Sequence, residues 1–173
     1  MGIEIIETKR LHIRPISVND AEFVVELMNS PGWLKYIGDR NVHTIEEAKE
    51  YIKNKALVQL ETHGYTNNVA IRKVDNVKLG TLGIYHREGK VDPDLGFAFL
   101  PEFQGKSYAY EAAFELIRTA KNDYGLTELS AYTLEENKAS RKLLERLGFK
   151  AIGKDNLPHD DAELLRYYRK LDL

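Results

Sequence analysis

Cysteine is absent from this chain of 173 residues, which excludes disulfides, thiolate nucleophiles and cysteine-ligated metals. No apolar run approaches the ~20 residues that cross a bilayer. The formal net charge is only −2, whereas nucleic-acid binders usually carry a basic excess. Residues 1–10 lack the basic start and apolar block of a secretory signal. We therefore expect a cytoplasmic protein with neither a nucleic-acid nor a membrane partner.

The chain also lacks internal repeats, low-complexity tracts and linkers rich in proline or glycine. Its composition, 43% hydrophobic and 30% charged, is ordinary for a globular protein. A chain of this length suits one compact domain, which buries enough surface to fold without metal or disulfides. We predict a single domain over residues 1–173 and no metal site.

Hydrophobic periodicity predicts an alternation of strands and helices. The predicted strands cover residues 10–15, 68–73, 77–85, 94–100, 128–133, 149–152 and 164–169. The predicted helices cover residues 20–29, 45–60, 107–124 and 137–147, the first capped by Ser17 or Asn19 and the second by Thr44. Residues 33–40 fit either a loop or a short helical turn. Central strands with helices on either side indicate an α/β or α+β fold with a mixed sheet.

One junction has the character of a phosphate site. The apolar strand 94–100 ends at Pro101, a short loop with Gly105 and Lys106 follows, and then a helix begins. The first N–H groups of a helix have no intrahelical partner and lie at the positive end of its dipole, so they favour phosphate or pyrophosphate. An ordinary strand-to-helix connection explains the same pattern. Neither the dinucleotide fingerprint nor the P-loop motif occurs.

The junction resembles the acetyl-CoA signature of the GNAT N-acetyltransferase superfamily, [QR]-x-x-G-x-[GA]. Gln104 and Ala109 match its ends, while Ser107 stands where the family usually has glycine. Flanking residues typical of the superfamily are Leu100-Pro101-Glu102, Gly105-Lys106 and Glu111-Ala112.

A second resemblance lies in the family's C-terminal helix motif, which here runs from Asn137 through Ser140 to Gly148-Phe149. Many members carry a tyrosine, the usual proton donor to the leaving thiolate, where this chain has Leu144. The branch resembling ribosomal-protein N-terminal alanine acetyltransferases also tends to lack it, and a serine at the position of Ser140 is the proposed substitute there.

The resemblance implies a single GNAT-like domain with a mixed, largely antiparallel sheet of about seven strands and about four flanking helices. It also implies acetyl-CoA as cosubstrate, with the pantetheine arm lying between strand 94–100 and the strand that follows the long helix. The residues expected to contact the cofactor are Phe99, Leu100, Gln104, Gly105, Lys106, Ser107, Tyr108, Ala109, Asn137 and Arg141.

The implied reaction is acetyl transfer to a primary amine in a ternary complex, with Ser140, Asp94 and Asn137 as catalytic residues. The base remains open: Asp94 and His86 lie nearest the expected cleft, with Glu102 third. Trp33, Tyr36 and His86 are the expected acceptor contacts, although Trp33 and Tyr36 fit the core equally well and His86 a plain surface position.

Two functions follow from these features. The first is an active N-acetyltransferase whose acceptor is a protein N-terminus or a small-molecule amine. The second is a catalytically weak, CoA-binding regulatory module, which Ser107 and Leu144 motivate. A homodimer is compatible with either function.

Overall fold

The computed structural model describes residues 5–172, so the ends of the predicted domain, residues 1–4 and 173, lie outside it. One twisted sheet contains every described strand, in the order β1-β2-β3-β4-β5-β6-β8-β7. All neighbours are antiparallel except β5 and β6. The strands are β1 Ile6–Glu7, β2 Leu11–Pro15, β3 Asn67–Arg72, β4 Lys78–Tyr85, β5 Asp94–Phe99, β6 Glu128–Thr133, β7 Lys150–Asp155 and β8 Leu164–Lys170.

The helices flank this sheet and confirm the predicted mixed α/β class. They are α1 Ala21–Met28, α2 Pro31–Tyr36, α3 Ile45–Tyr51, α4 Val58–His63, α5 Tyr108–Asn122 and α6 Lys138–Arg146. A π-helical stretch, Ile52–Leu57, joins α3 and α4 into one continuous helix. None of the helices within residues 5–172 is long and apolar enough to cross a membrane.

The described residues contain one strand more than predicted and, with α3 and α4 counted together, one helix more. The additional strand, β1, has two residues, too few for alternation to be visible. The additional helix, α2, occupies the segment with the ambiguous pattern, and Pro31 suits its first turn because a helix start needs no N–H there. Neither predicted cap, Ser17 or Asn19, caps α1 itself. Ser17 caps the 3-10 turn Val18–Asp20 that leads into α1, where its hydroxyl accepts the Asn19 N–H in a capping box with Asp20, and Asp20 is the N-cap of α1.

Two hydrophobic layers cover the two faces of the sheet. The first layer packs α5 and α6 against the sheet and includes Leu116 and Leu144. The second packs α1 and α3 against the other face and includes Leu27 and Ile52. The alternation of β5 divides its side chains between the layers, with Leu95, Phe97 and Phe99 toward α5.

A buried ion pair lies where β2, β4 and the start of α1 meet. Asp20 is 0% exposed. Its carboxylate oxygens accept two hydrogen bonds of 2.8 Å from the Arg14 guanidinium and lie 2.6 Å from Lys78 Nζ. The Ser17 N–H adds a third donor at 2.9 Å. The cluster thus compensates its buried charge and ties three elements together.

Candidate functional site

A fork between β5 and β6 defines the candidate site. These two parallel strands share one ladder position, Asp94 with Ser130, where the Ser130 N–H donates to the Pro93 carbonyl at 2.9 Å. Past this point they form no further pairs. Because the Leu100 N–H points to β4, donating to Leu79 at 2.9 Å, strand alternation turns the backbones of Phe97 and Phe99 toward the gap. An extended ligand in the gap therefore finds free backbone groups on β5.

This alternation changes the predicted pair of strand contacts. Phe99 keeps its N–H toward the gap, but its carbonyl accepts a hydrogen bond of 3.0 Å from the Gln104 amide. The Leu100 N–H is used within the sheet. Gln104 thus fixes the loop to the end of β5. The backbone of Phe97 faces the fork, whereas the family resemblance implied that of Leu100.

The loop between β5 and α5 has an unusual backbone. Gly105 has φ 76° and Ser107 has φ 64°, both in the left-handed region. A side chain added at Gly105 meets no protein atom within 4 Å, so this side of the loop is open. The Glu111 N–H donates to the Ser107 carbonyl at 3.0 Å, which leaves the N–H groups of the preceding turn available at the positive end of α5.

Ser107 therefore occupies, as serine, a conformation that favours glycine. We expect Ser107→Gly to raise the free energy of unfolding by up to ~1 kcal/mol. Relief of the left-handed strain at Ser107 raises the free energy of unfolding by ~1–2 kcal/mol. The added conformational freedom of the unfolded chain lowers it by ~0.4–1 kcal/mol. No cap is lost, since the Ser107 side chain makes no capping bond. Denaturant melting checks this, with Ser107→Ala as a control that keeps the strain. A glycine variant less stable than wild type would contradict it.

Four residues separate the helix α6 from the end of β6, the strand that forms one side of the fork. The Asn137 side-chain oxygen accepts the Ser140 N–H at 3.2 Å, and Ser140 is half-buried. Among residues 5–172 no hydrogen-bond partner is found for the Ser140 hydroxyl. Leu144, one turn later, is 1% exposed in the core beneath α6. Arg141, predicted to contact the cofactor, binds the Tyr167 hydroxyl at 3.2 Å and the Glu135 carbonyl at 3.1 Å.

Asp94 lies at the base of the fork and is 2% exposed. Burial raises its pKa, while the Arg87 guanidinium, which donates at 2.8 and 3.1 Å, acts against that rise. The Tyr85 ring covers the adjacent Gly96, where an added Cβ would lie 2.6 Å from a ring carbon. Arg87 could not be identified from the sequence. Eight residues separate β4 from β5, so the sequence does not show the register of the two strands that brings Arg87 to Asp94.

The other predicted contacts are dispersed. Trp33 donates to the Gly38 carbonyl at 3.1 Å and packs against the layer formed by α1 and α3, while Tyr36 is half-buried. Glu102 is exposed in a 3-10 turn. His86 does not join Asp94, because its Nε2 lies 2.5 Å from the Tyr65 hydroxyl and its ring stacks on His63 with centroids 3.9 Å apart.

The histidine stack predicts a pH-dependent stability. Burial, and secondly the nearby His63, lower the pKa of His86 below its ordinary value of 6.5. The unfolded chain therefore binds this proton more readily, and the stack loses stability as the pH falls below about 6.5. Between about pH 7.5 and 5.5, we expect the melting temperature of wild type to fall more than that of His86→Gln. This range extends about one pH unit on either side of the ordinary histidine pKa. Equal falls would contradict the prediction.

The chain is similar to known acetyltransferases. Residues 10–150 match the family model described as an acetyltransferase (GNAT) domain. An uncharacterized N-acetyltransferase of Bacillus subtilis, YnaD, is 30% identical, the match covering 86% of this chain and 84% of that protein. A second from the same organism, YoaA, is 27% identical with the same coverage of both.

Solved structures share the fold at low identity. Ribosomal-protein-S5-alanine acetyltransferase of Vibrio fischeri has a TM-score of 0.81 and 19% identity, covering 98% of this chain and 97% of its own. A GNAT-family acetyltransferase of Bacillus anthracis has a TM-score of 0.79 and 24% identity, covering 97% and 99%. No group of three or more potential metal ligands occurs within residues 5–172.

Proposed function

Because this chain belongs to the GNAT acetyltransferase family, we propose that it transfers the acetyl group of acetyl-CoA to a primary amine by direct attack within a ternary complex. The observation that carries the proposal is the fork, with its single pair at Asp94 and Ser130, beside the open loop that begins α5. The fork receives an extended arm, and the loop receives a pyrophosphate. RimL, the ribosomal L7/L12 acetyltransferase, shares this fold and its structure is a complex with coenzyme A.

In this proposal the two phosphates bind the backbone N–H groups from Gly105 to Ala109, with Lys106 as a nearby cation. The pantetheine arm then runs along the free backbone edge of β5. An N–H of Phe97 or Phe99 faces the thioester oxygen and stabilises the charge that develops on it. The arm thereby replaces the ladder bonds that β5 and β6 do not make.

The chemistry requires a proton acceptor on one side and a hydrogen-bond donor on the other. The neutral amine attacks the carbonyl carbon, a proton leaves the nitrogen, and the thiolate departs. We favour Asp94 as the group that accepts the proton, directly or through water, because burial raises its pKa above the ordinary value. The Ser140 hydroxyl is the donor to the thiolate. An α-amine, with a pKa of about 7.7–8.0, needs less help than a lysine at about 10.4.

Free-thiol release during incubation with acetyl-CoA and a panel of amines tests the function. The panel holds a peptide with an N-terminal alanine, a lysine peptide with a blocked N-terminus, a polyamine and an aminoglycoside. Release that depends on one of the amines supports the enzyme. Acetyl-CoA binding without release for any amine favours the regulatory module, and absence of binding contradicts both.

The loop conformation predicts which substitution weakens acetyl-CoA binding more. Gly105→Val places a β-branched side chain at a positive φ and projects it into the open side of the loop, so we expect the dissociation constant to rise about fivefold or more. Lys106→Ala removes only an exposed charge and should have a smaller effect. Calorimetric titration measures both, and the reverse order would contradict this placement of the ligand.

A further inference from the structure

Arg10, in the bend between β1 and β2, contacts the start of α5. The Arg10 side chain donates to Glu111 at 2.8 Å, and its backbone N–H donates to the other carboxylate oxygen at 2.9 Å. A second guanidinium nitrogen donates to the Lys106 carbonyl at 3.1 Å. The guanidinium also lies 4.2 Å from the centroid of the Tyr108 ring. Arg10 thus contacts the loop and the first turn of α5 at once.

Glu111 places a negative charge close to the proposed pyrophosphate site. Its burial raises its pKa, but hydrogen bonds from Thr8 and Arg10 outweigh that effect and hold the pKa below the ordinary value, so the group is ionised at neutral pH. It lies three positions after Tyr108, about 4.5 Å along the helix axis. A carboxylate there lies within about one Debye length, ~10 Å, of an anion bound at the helix start. Unpaired, it would repel that anion.

We propose that Arg10 is a positioning residue for the pyrophosphate of acetyl-CoA. It acts through Glu111: the guanidinium cancels the carboxylate charge, so the positive end of α5 and Lys106 keep their attraction for phosphate. Its bond to the Lys106 carbonyl holds the peptide that precedes Ser107 in the left-handed conformation. The contacts of Arg10 found within residues 5–172 lie outside the fork, and Arg10 takes no part in the chemical step. This inference rests on the proposed acetyl-CoA site.

Charge-neutral variants test it, with acetyl-CoA titrated into each by calorimetry. Arg10→Gln should raise the dissociation constant about fivefold or more, because it leaves Glu111 uncompensated. Glu111→Gln should bind no more weakly than wild type. The double variant Arg10→Gln/Glu111→Gln should bind more tightly than Arg10→Gln alone, although both lack the guanidinium. The penalty of Arg10→Gln should shrink between about 0.05 and 0.5 M salt.

A merely structural pair gives a different pattern. If the contact only stabilised the fold, Glu111→Gln would weaken binding as Arg10→Gln does, and the penalty of Arg10→Gln would not depend on salt. Either result overturns the proposal, as does Arg10→Gln binding like wild type. Melting temperatures recorded on the same samples identify variants that fail to fold. If Arg10→Gln does not fold, Arg10→Lys replaces it. This variant keeps the positive charge and should bind acetyl-CoA within about twofold of wild type. Wild type that does not bind acetyl-CoA contradicts the proposed function instead.

Discussion

Asp20→Asn should lower the free energy of unfolding by about 3 kcal/mol, because it removes the carboxylate that Arg14 and Lys78 share and leaves both cations poorly compensated. Burial alone raises the pKa of Asp20. The hydrogen bonds from Arg14, Lys78 and the Ser17 N–H outweigh burial and hold it well below the ordinary value of 3.8. The stabilisation is therefore complete above about pH 3.8 and is lost as the pH falls below it.

The chain offers a matched control for this prediction. Asp75 also accepts two hydrogen bonds from an arginine, Arg72, at 2.9 and 2.6 Å, but on the surface. Asp75→Asn should leave the midpoint of urea unfolding close to that of wild type, since exposed pairs contribute little. Equal losses in Asp20→Asn and Asp75→Asn would show that burial does not set the strength of the Asp20 cluster.

Ser140→Ala should lower kcat by about tenfold or more and leave the KM for acetyl-CoA nearly unchanged, as expected for a bond made mainly in the transition state. A thiol has a pKa of about 8.5, so a leaving thiolate gains from even one hydroxyl donor. The Ser140 hydroxyl is without a partner among the described residues, and its N–H is capped by Asn137, so alanine removes the donor without disturbing the helix start.

Steady-state kinetics with the amine found in the panel measures this effect. Lys138→Ala, an exposed change in the same helical turn, serves as the control and should keep its kcat. If Ser140→Ala turns over like wild type, Ser140 has no part in the reaction and solvent becomes the proton donor.

The sequence predicts those strands and helices whose own residues show hydrophobic periodicity. Leu11 and Ile13 alternate with polar residues, and both are 0% exposed on β2 as predicted. The fork could be predicted only from the family resemblance, because no local sequence pattern indicates which strands pair. Two ion pairs could not be predicted at all. The Arg87–Asp94 pair depends on the register of a hairpin, and the Arg10–Glu111 pair joins residues 101 positions apart. Local propensity contains no information on such contacts.

The single shared position between β5 and β6 also bears on cooperativity. Five strands lie on one side of it and three on the other, joined there by one ladder position and beneath it by α5 and α6. We therefore expect deuterium exchange of the backbone amides to report two opening reactions of different free energy, one on each side of the fork. A ligand that hydrogen-bonds to β5 and also contacts α6 would link the two sides, so its binding should stabilise the protein by mass action and merge the two openings into one.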